Sequence, residues 1–319
     1  MNDDTPDHAG RPDRVGLPSF DTANVVIDIA DCSYNPTGEV IFPCVVDVAK
    51  HIRNPIDRYY VFYAPHGPPA DICVATAPAL TGPWTEYNRN PIIPRDWPPH
   101  YRVSHVSSPH VLWIEEEAQF FCFFHGENTT TRYASSKNGI DWTYEGVSLT
   151  VDDLPPSESI SYNRVYRHEI SQTCRYVQTI VQYHPSRHGL YIARSHDARH
   201  WTIDPKPLIT PADVPGSTYT WSPCLIEWRG QWFMAYHVDF ASPGHTHGDE
   251  LYTPIYASPV NIELTQAGQP QLLVDQKCLT QLPKGRVADP FLIEEDGKLY
   301  LFTAAGATPT TRIVCAEGR

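Results

Sequence analysis

A run of six mostly apolar and aromatic residues recurs five times along the chain, at intervals of about sixty residues. Each copy is rich in Tyr, Phe, Trp and branched residues and shows no helical periodicity, which is typical of a buried β-strand. The copies are Tyr59–Ala64, Phe120–His125, Thr179–His184, Trp232–His237 and Leu299–Ala304. A repeat of this length indicates one small structural unit that is used five times.

The residues around each run complete the unit. A second strand-like segment that ends on a small residue follows every run, and Pro and Gly mark the turns. Most units also begin with an X-Pro pair: Phe42-Pro43, Ser108-Pro109, Ser222-Pro223 and Asp289-Pro290. Each unit therefore predicts four short antiparallel strands, and five such units predict an all-β fold, a five-bladed β-propeller.

The pattern also predicts how the ring is closed. The fifth unit reaches the end of the sequence after its third strand, and we expect the segment Asn24–Ala30 to supply the missing outer strand. Residues 1–18 carry several charges and no apolar stretch, so we expect a disordered lead there. Residues 19–319 are then one propeller domain.

Composition excludes some classes of function. The 319 residues include 24 Lys and Arg against 37 Asp and Glu, a net charge of −13, which disfavours binding to nucleic acid. No apolar run approaches the roughly 18 residues that a membrane span needs. The first residues do not resemble a secretory signal, so we expect a cytoplasmic protein, although a signal removed before this numbering would leave no trace.

Three histidines occupy the same position at the end of an aromatic run: His125, His184 and His237. In a propeller these strand ends lie on the same face as the X-Pro openings, so we expect the imidazoles to converge on the axis. One hypothesis is that they bind a single divalent ion such as Zn, Mn or Fe, with no organic cofactor. That site would suit a metal-dependent lyase or isomerase that acts on a sugar-like substrate.

Two residues further along, the alternation of a strand keeps the same facing. This position holds His66, Glu127, Ser186 and Asp239 in the first four units. The second hypothesis is therefore that carboxylates, with or without histidine, divide the acid and base work at the propeller mouth.

The segments Asp289–Ile293, Asp296–Phe302 and Ala134–Trp142 resemble the blade signatures of the five-bladed propeller glycoside hydrolases. That superfamily includes the arabinanase and xylosidase types of family 43, fructan hydrolases and neoagarobiose hydrolase relatives. The resemblance covers about residues 38 to 319.

The resemblance implies an aspartate at the start of an innermost strand as base or nucleophile, a second carboxylate that tunes it, and a glutamate as acid. Asp289 matches the first role, whereas the corresponding openings elsewhere are Phe42, Ser108 and Ser222. Neoagarobiose hydrolase relatives are thought to use a histidine as the acid. We therefore expect Asp289, Glu127 and Asp239 to be catalytic, in a glycoside hydrolase that acts on a short oligosaccharide or glycoside; a non-catalytic sugar-binding propeller is the alternative.

Further residues near the openings are candidates for substrate contact. Arg164 or Arg167 suits an anionic group on the substrate, although an ion pair with Glu169 explains such an arginine equally well. The other candidates for binding a small carbohydrate are Glu169 itself, His66, the aromatic Trp221, and His245 and His247 in a polar loop of the fourth unit.

Overall fold

The computed structural model describes residues 16–240, 253–275, 285–307 and 310–319. These residues form β-strands joined by turns and by four 3₁₀ helices, Ile29–Asp31, Val48–Lys50, Val151–Asp153 and Pro211–Asp213. In chain order the strands are β1 (Ala23–Ile27), β2 (Ile41–Asp47), β3 (Tyr59–Ala64), β4 (Cys73–Ala77), β5 (Thr85–Glu86), β6 (Asp96–Trp97), β7 (Tyr101–Arg102), β8 (Val106–Ile114), β9 (Gln119–Gly126), β10 (Thr130–Ser136), β11 (Thr143–Thr150), β12 (Ser159–Ser171), β13 (Cys174–Tyr183), β14 (Gly189–Ser195), β15 (Thr202–Ile203), β16 (Tyr219–Trp228), β17 (Gln231–Asp239), β18 (Ile255–Val260), β19 (Gln271–Val274), β20 (Arg286–Glu295), β21 (Lys298–Gly306) and β22 (Arg312–Glu317).

The strands form five four-stranded antiparallel blades, and β6 pairs with β7 in a separate hairpin. Blade I is β2–β5, blade II is β8–β11, blade III is β12–β15 and blade IV is β16–β19. The first strands contact one another in a closed ring, in the order β2, β8, β12, β16, β20 and back to β2. The predicted five-bladed propeller is thus confirmed.

Blade V combines the two ends of the described chain. Its order is β20, β21, β22 and β1, and Ala23 of β1 lies opposite Ala316 of β22. The N–H of Ser19 also donates to the carbonyl of Arg319. The prediction that the N-terminal strand completes the last blade is confirmed, and it covers an edge that would otherwise offer unpaired N–H and C=O groups.

Each first strand contains a β-bulge near its beginning. In β8 the pairing with β9 shifts between Ser107 and His110, so Ser108 and Pro109 lie opposite a single residue. Proline suits a bulge because it has no N–H to leave unpaired. In each bulge one residue has a positive φ, between 49° and 59°. We call these five residues the mouth ring: Phe42, Ser108, Tyr162, Ser222 and Asp289.

The bulges turn backbone N–H groups toward the preceding blade, where side chains accept them. In four blade interfaces the donor is the residue three positions after the mouth-ring residue. The pairs are Cys44 Sγ with Val111 N–H (3.2 Å), His110 Nδ1 with Val165 N–H (3.1 Å), Tyr166 Oη with Leu225 N–H (3.0 Å) and Cys224 Sγ with Leu292 N–H (3.3 Å). These hydrogen bonds satisfy buried amides that the bulges remove from the strand ladder.

The aromatic runs form the second strands, as predicted, and supply most of the large buried side chains. Tyr59, Tyr63, Phe62, Phe120 and Phe124 are almost fully buried in a cluster that joins blades V, I and II. The cysteines of the described residues carry no disulfide, and all except Cys32 are buried. Within the same residues, no helix combines the length and apolar character that a membrane crossing requires.

The interface hydrogen bonds predict a measurable loss of stability. Replacing buried His110 with Leu fills the same space with an apolar side chain but leaves the Val165 N–H without an acceptor. We expect the free energy of unfolding to fall by about 1–3 kcal/mol. Urea unfolding of H110L and of the exposed-site control H196L measures the difference, and equal midpoints for H110L and the unmodified protein would contradict it.

Candidate active site at the propeller mouth

Asp289 lies in the mouth ring and is the carboxylate among its five side chains. It is 2% exposed, and one oxygen, Oδ1, accepts a hydrogen bond from the Ser222 hydroxyl of blade IV. Its φ of 57° is a conformation that Asp adopts more readily than most residues. The backbone bulge and the Ser222 hydroxyl therefore hold this carboxylate in one orientation.

His237 lies next to Asp289 at the end of β17. Its Nδ1 accepts the Asp289 N–H at 3.1 Å and lies 3.8 Å from Asp289 Oδ1. Burial lowers the pKa of His237, and the opposing charge of Asp289 does not restore it. His237 is therefore a neutral acceptor that orients the backbone of Asp289.

His125 has the same role two interfaces earlier, between blades II and III. Its Nδ1 accepts the N–H of Tyr162 at 3.4 Å, and burial lowers its pKa to about 3. Both histidines at this repeat position therefore use Nδ1 for a structural hydrogen bond between blades.

His184 does not join them, which corrects the alignment of the third repeat. In β13 the residue opposite the start of the bulge is Val181, the equivalent of His125 and His237. His184 lies three residues later, in the turn after β13, where its Nδ1 contacts the Ser186 hydroxyl at 2.9 Å. The structure therefore does not bring the predicted three histidines together.

In the described part of the chain, no group of three His, Cys, Asp or Glu side chains is arranged so that it could hold a metal ion. His245 and His247, which were predicted to contact substrate, lie in 241–252, outside the described residues.

Glu127 lies in the turn between β9 and β10, on the mouth face as predicted. Both of its carboxylate oxygens accept from Arg132, at 2.9 and 3.2 Å. The Arg132 guanidinium also lies 5.0 Å from the centre of the Tyr101 ring. Glu127 is thus part of a partly buried ion pair, and a proton-donor role requires that pair to open.

Asp239 and Trp221 contact each other directly. The indole N–H of Trp221 donates to Asp239 Oδ2 at 2.8 Å. Trp221 is stacked with Tyr183 at a centroid distance of 6.2 Å and lies 5.6 Å from Tyr219 and 5.4 Å from Tyr162. These partly buried rings form an aromatic wall on the blade III and blade IV side of the mouth, and Asp239 fixes its central member.

His66 is held by a carboxylate that the sequence did not reveal. Its Nδ1 lies 2.7 Å from Oε2 of Glu39, which is 3% exposed and also accepts from Thr311. Burial raises the pKa of Glu39, but the His66 hydrogen bond and the charge of Arg286, 3.8 Å away, outweigh it and leave a lowered pKa. Glu39 stands three residues before the Phe42 opening, in a segment that no repeated feature marks.

Arg167 and Glu169 are far from the mouth, which corrects their predicted role in substrate binding. They lie five and seven residues beyond Tyr162 on the long strand β12, toward its hairpin with β13. Both are exposed, and Arg167 donates to Glu169 at 2.7 Å and lies 3.6 Å from Glu116. The ion pair that the sequence offered as the alternative is therefore present. Arg164, by contrast, is buried near the axis, two residues past the mouth ring.

Fold and mouth together define a five-bladed propeller with a buried, oriented carboxylate beside an aromatic wall. No protein-family model matches the chain, and no curated protein matches its sequence.

Solved structures with this fold do match. One is described with the words that the GH130 family of mannoside phosphorylases contains glycoside hydrolases that target β-1,2 mannosidic linkages in Candida mannan (12% identity, 97% of this chain, 95% of that chain, TM-score 0.64). Others are an exo-1,5-α-L-arabinanase from a bovine ruminal metagenomic library (10%, 90% and 95%, 0.59) and the family 32 β-fructofuranosidase of Bombyx mori (15%, 93% and 62%, 0.61). The predicted resemblance to propeller glycoside hydrolases is confirmed for the fold.

Burial of His125 predicts a pH dependence of stability. Its folded pKa of about 3 lies below the ordinary 6.5, so below pH 6.5 the unfolded chain binds a proton that the folded protein does not. Stability therefore falls as the pH drops from 6.5 toward 3, by about 1.4 kcal/mol per pH unit for this group. In H125Q the amide oxygen still accepts from Tyr162 but does not titrate, so the slope should be shallower by that amount.

Chemical denaturation at pH 6.5, 5.5 and 4.5 measures the slopes. The same replacement at exposed His196 controls for the change of residue type. A slope in H125Q equal to that of the unmodified protein would show that His125 does not contribute.

Proposed function

We propose that this protein is a glycoside hydrolase that cleaves a short oligosaccharide or glycoside at the propeller mouth. The observation that carries the proposal is Asp289, a 2% exposed carboxylate fixed by Ser222 and by the bulge at the start of an innermost strand. The solved structures with this fold include an arabinanase and a β-fructofuranosidase, and their activity supports the same class here. Because a fold hosts several functions, the chemistry below is argued from the site.

Asp289 is proposed as the base or nucleophile. Ser222 occupies Oδ1, which leaves Oδ2 for the reacting partner. As a base, Asp289 removes a proton from the water that attacks the anomeric carbon; as a nucleophile, it attacks that carbon and a glycosyl-enzyme forms, which water then hydrolyses. Either step breaks the bond to the leaving oxygen, which must gain a proton.

His66 is proposed as the group that protonates the leaving oxygen. Glu39 contacts Nδ1 and so orients the ring, while 40% of the His66 side chain remains exposed. Because Nδ1 is held by the Glu39 carboxylate, Nε2 is the nitrogen that can donate a proton to the substrate. Glu127, the donor expected from the sequence, has both oxygens in hydrogen bonds with Arg132.

The aromatic wall is proposed to hold the sugar. The ring of Trp221, fixed by Asp239, and the adjacent ring of Tyr219 are partly exposed at the mouth. Flat aromatic faces suit the apolar faces of sugar rings. The mouth-ring residues Phe42 of blade I and Tyr162 of blade III bring their rings within 5.3 Å of each other across the axis, which favours a short substrate.

Replacement of Asp289 with Asn tests the central role. The isosteric amide tolerates the positive φ and still accepts from Ser222, so the fold should be retained. We expect kcat/KM to fall at least about 10³-fold, because the base or nucleophile is lost. Turnover is measured on a panel of nitrophenyl glycosides and unmodified oligosaccharides.

The matched control is D296N, the same change at an exposed turn with positive φ in the same blade. We expect D296N to keep full activity. Activity retained in D289N would overturn the assignment of Asp289. Sugar binding without turnover in the unmodified protein would instead indicate a binding module.

The leaving group separates the two candidate acids. In H66Q the unassisted departure of an alkoxide should lower kcat/KM on an oligosaccharide by about 10²- to 10⁴-fold. A dinitrophenyl glycoside needs no proton donor, so its hydrolysis should change little. The comparison variant E127Q should not show this pattern; if E127Q shows it and H66Q does not, Glu127 is the acid.

A further inference from the structure

Arg164 occupies the propeller axis. It stands two residues after Tyr162, in an axial ring with the equivalent residues of the other blades: Cys44, His110, Cys224 and Phe291. Arg164 is only 5% exposed, and its guanidinium lies 5.3 Å from the centre of the Phe291 ring of blade V. The side chain therefore extends from blade III to blade V, and its charge also acts on Cys44 of blade I and His110 of blade II.

No anionic side chain of the described residues forms an ion pair with Arg164, and its Nη1 nitrogen has no hydrogen-bond acceptor there. The titratable groups on which its charge acts are Cys44, His110, Tyr166 and His237, and none of these four supplies a carboxylate. Burial raises the pKa of the Cys44 thiol to about 12, despite the nearby guanidinium. Burial and the Arg164 charge keep the pKa of His110 far below its ordinary value. Phe291 contributes only its ring face.

The other arginine of the described residues that is buried to this extent differs in this respect. Arg132, 7% exposed, meets Glu127 through two hydrogen bonds. A guanidinium cannot lose its proton to avoid burial, and a buried charge without a partner is strongly unfavourable. A cation–π contact offsets only part of that cost.

The geometry points to a small inorganic anion, of the size of chloride, bound to Arg164 on the axis. Arg164 lies two residues past the mouth ring on β12, and the rings of Phe42 and Tyr162 meet across the axis on the mouth side of it. That position favours a halide over a carboxylate or phosphate carried by a substrate at the mouth. The inference does not depend on the proposed glycosidase activity.

The first test places the anion directly. Crystals of the unmodified protein are soaked in bromide, and anomalous diffraction is recorded. We expect a bromide peak within about 3.5 Å of the Arg164 guanidinium nitrogens, the distance of a charge-assisted contact. Peaks at surface positions only, with water at Arg164, would overturn the proposal.

The second test measures the effect of the anion on stability. The melting temperature is compared in sodium chloride and sodium gluconate at equal ionic strength, so that general screening is the same. Because chloride binds only the folded state, we expect a rise of a few degrees in chloride. In R164M, which removes the buried charge with an apolar chain of similar length, the rise should disappear.

The matched control is R194M in the same blade, where the arginine already has Asp204 as a partner. This variant loses stability in both salts but should keep the difference between them. An equal chloride effect in R164M would overturn the proposal, as would stabilisation by phosphate or acetate but not by chloride or bromide. If R164M does not fold, the bromide experiment on the unmodified protein decides alone.

Discussion

The β-bulge in each innermost strand is the constraint on which the rest of this propeller depends. A regular strand would direct its amides along the sheet, whereas the bulge turns some of them toward the preceding blade. Cys44, His110, Tyr166 and Cys224 accept these amides at four interfaces. The blades are therefore joined by directional hydrogen bonds as well as by apolar packing, which by itself does not fix their angle.

The same bulge places one side chain per blade at the mouth. A positive φ is costly for bulky residues and is retained only where the surroundings enforce it. Phe42 and Tyr162 adopt a positive φ despite that cost, and their rings meet edge to face over the axis. The two aromatic positions close the centre, and Ser222 with Asp289 forms the polar side of the ring. The candidate site is thus off-centre although the scaffold has near five-fold symmetry.

Sequence patterns predicted the parts of the fold that repeat. Five aromatic runs became the second strands, and the N-terminal strand closed blade V. Four openings were found because a proline follows the bulge residue. The third was misaligned by three residues because Asn163 stands where the others have proline, so the pattern placed His184 at the position of Val181.

The candidate site was less predictable because its partners come from different blades. Asp289 was found from its place before a proline, but nothing local shows that Ser222 binds it. Glu39 was missed because its role depends on hydrogen bonds with His66 and Thr311. Both partners are distant in sequence, and no repeated motif links them to Glu39. Histidines at one repeated position suggested a metal site, yet the Nδ1 atom of His125 accepts a backbone amide. A repeat reveals where side chains point, but not which group they meet.

The residue types of the mouth ring and of the axial ring differ from blade to blade, although the backbone repeats. The mouth ring and the axial ring face the channel, whereas the other faces of the first strands pack against neighbouring strands. In the axial ring, thiols and imidazole act as compact neutral acceptors for the interface amides. An arginine cannot accept a hydrogen bond, so Tyr166 takes over that function in blade III. Arg164 therefore does not accept the interface amide, and its charge faces the axis. A structural role in joining the blades does not explain why a charged residue is buried there.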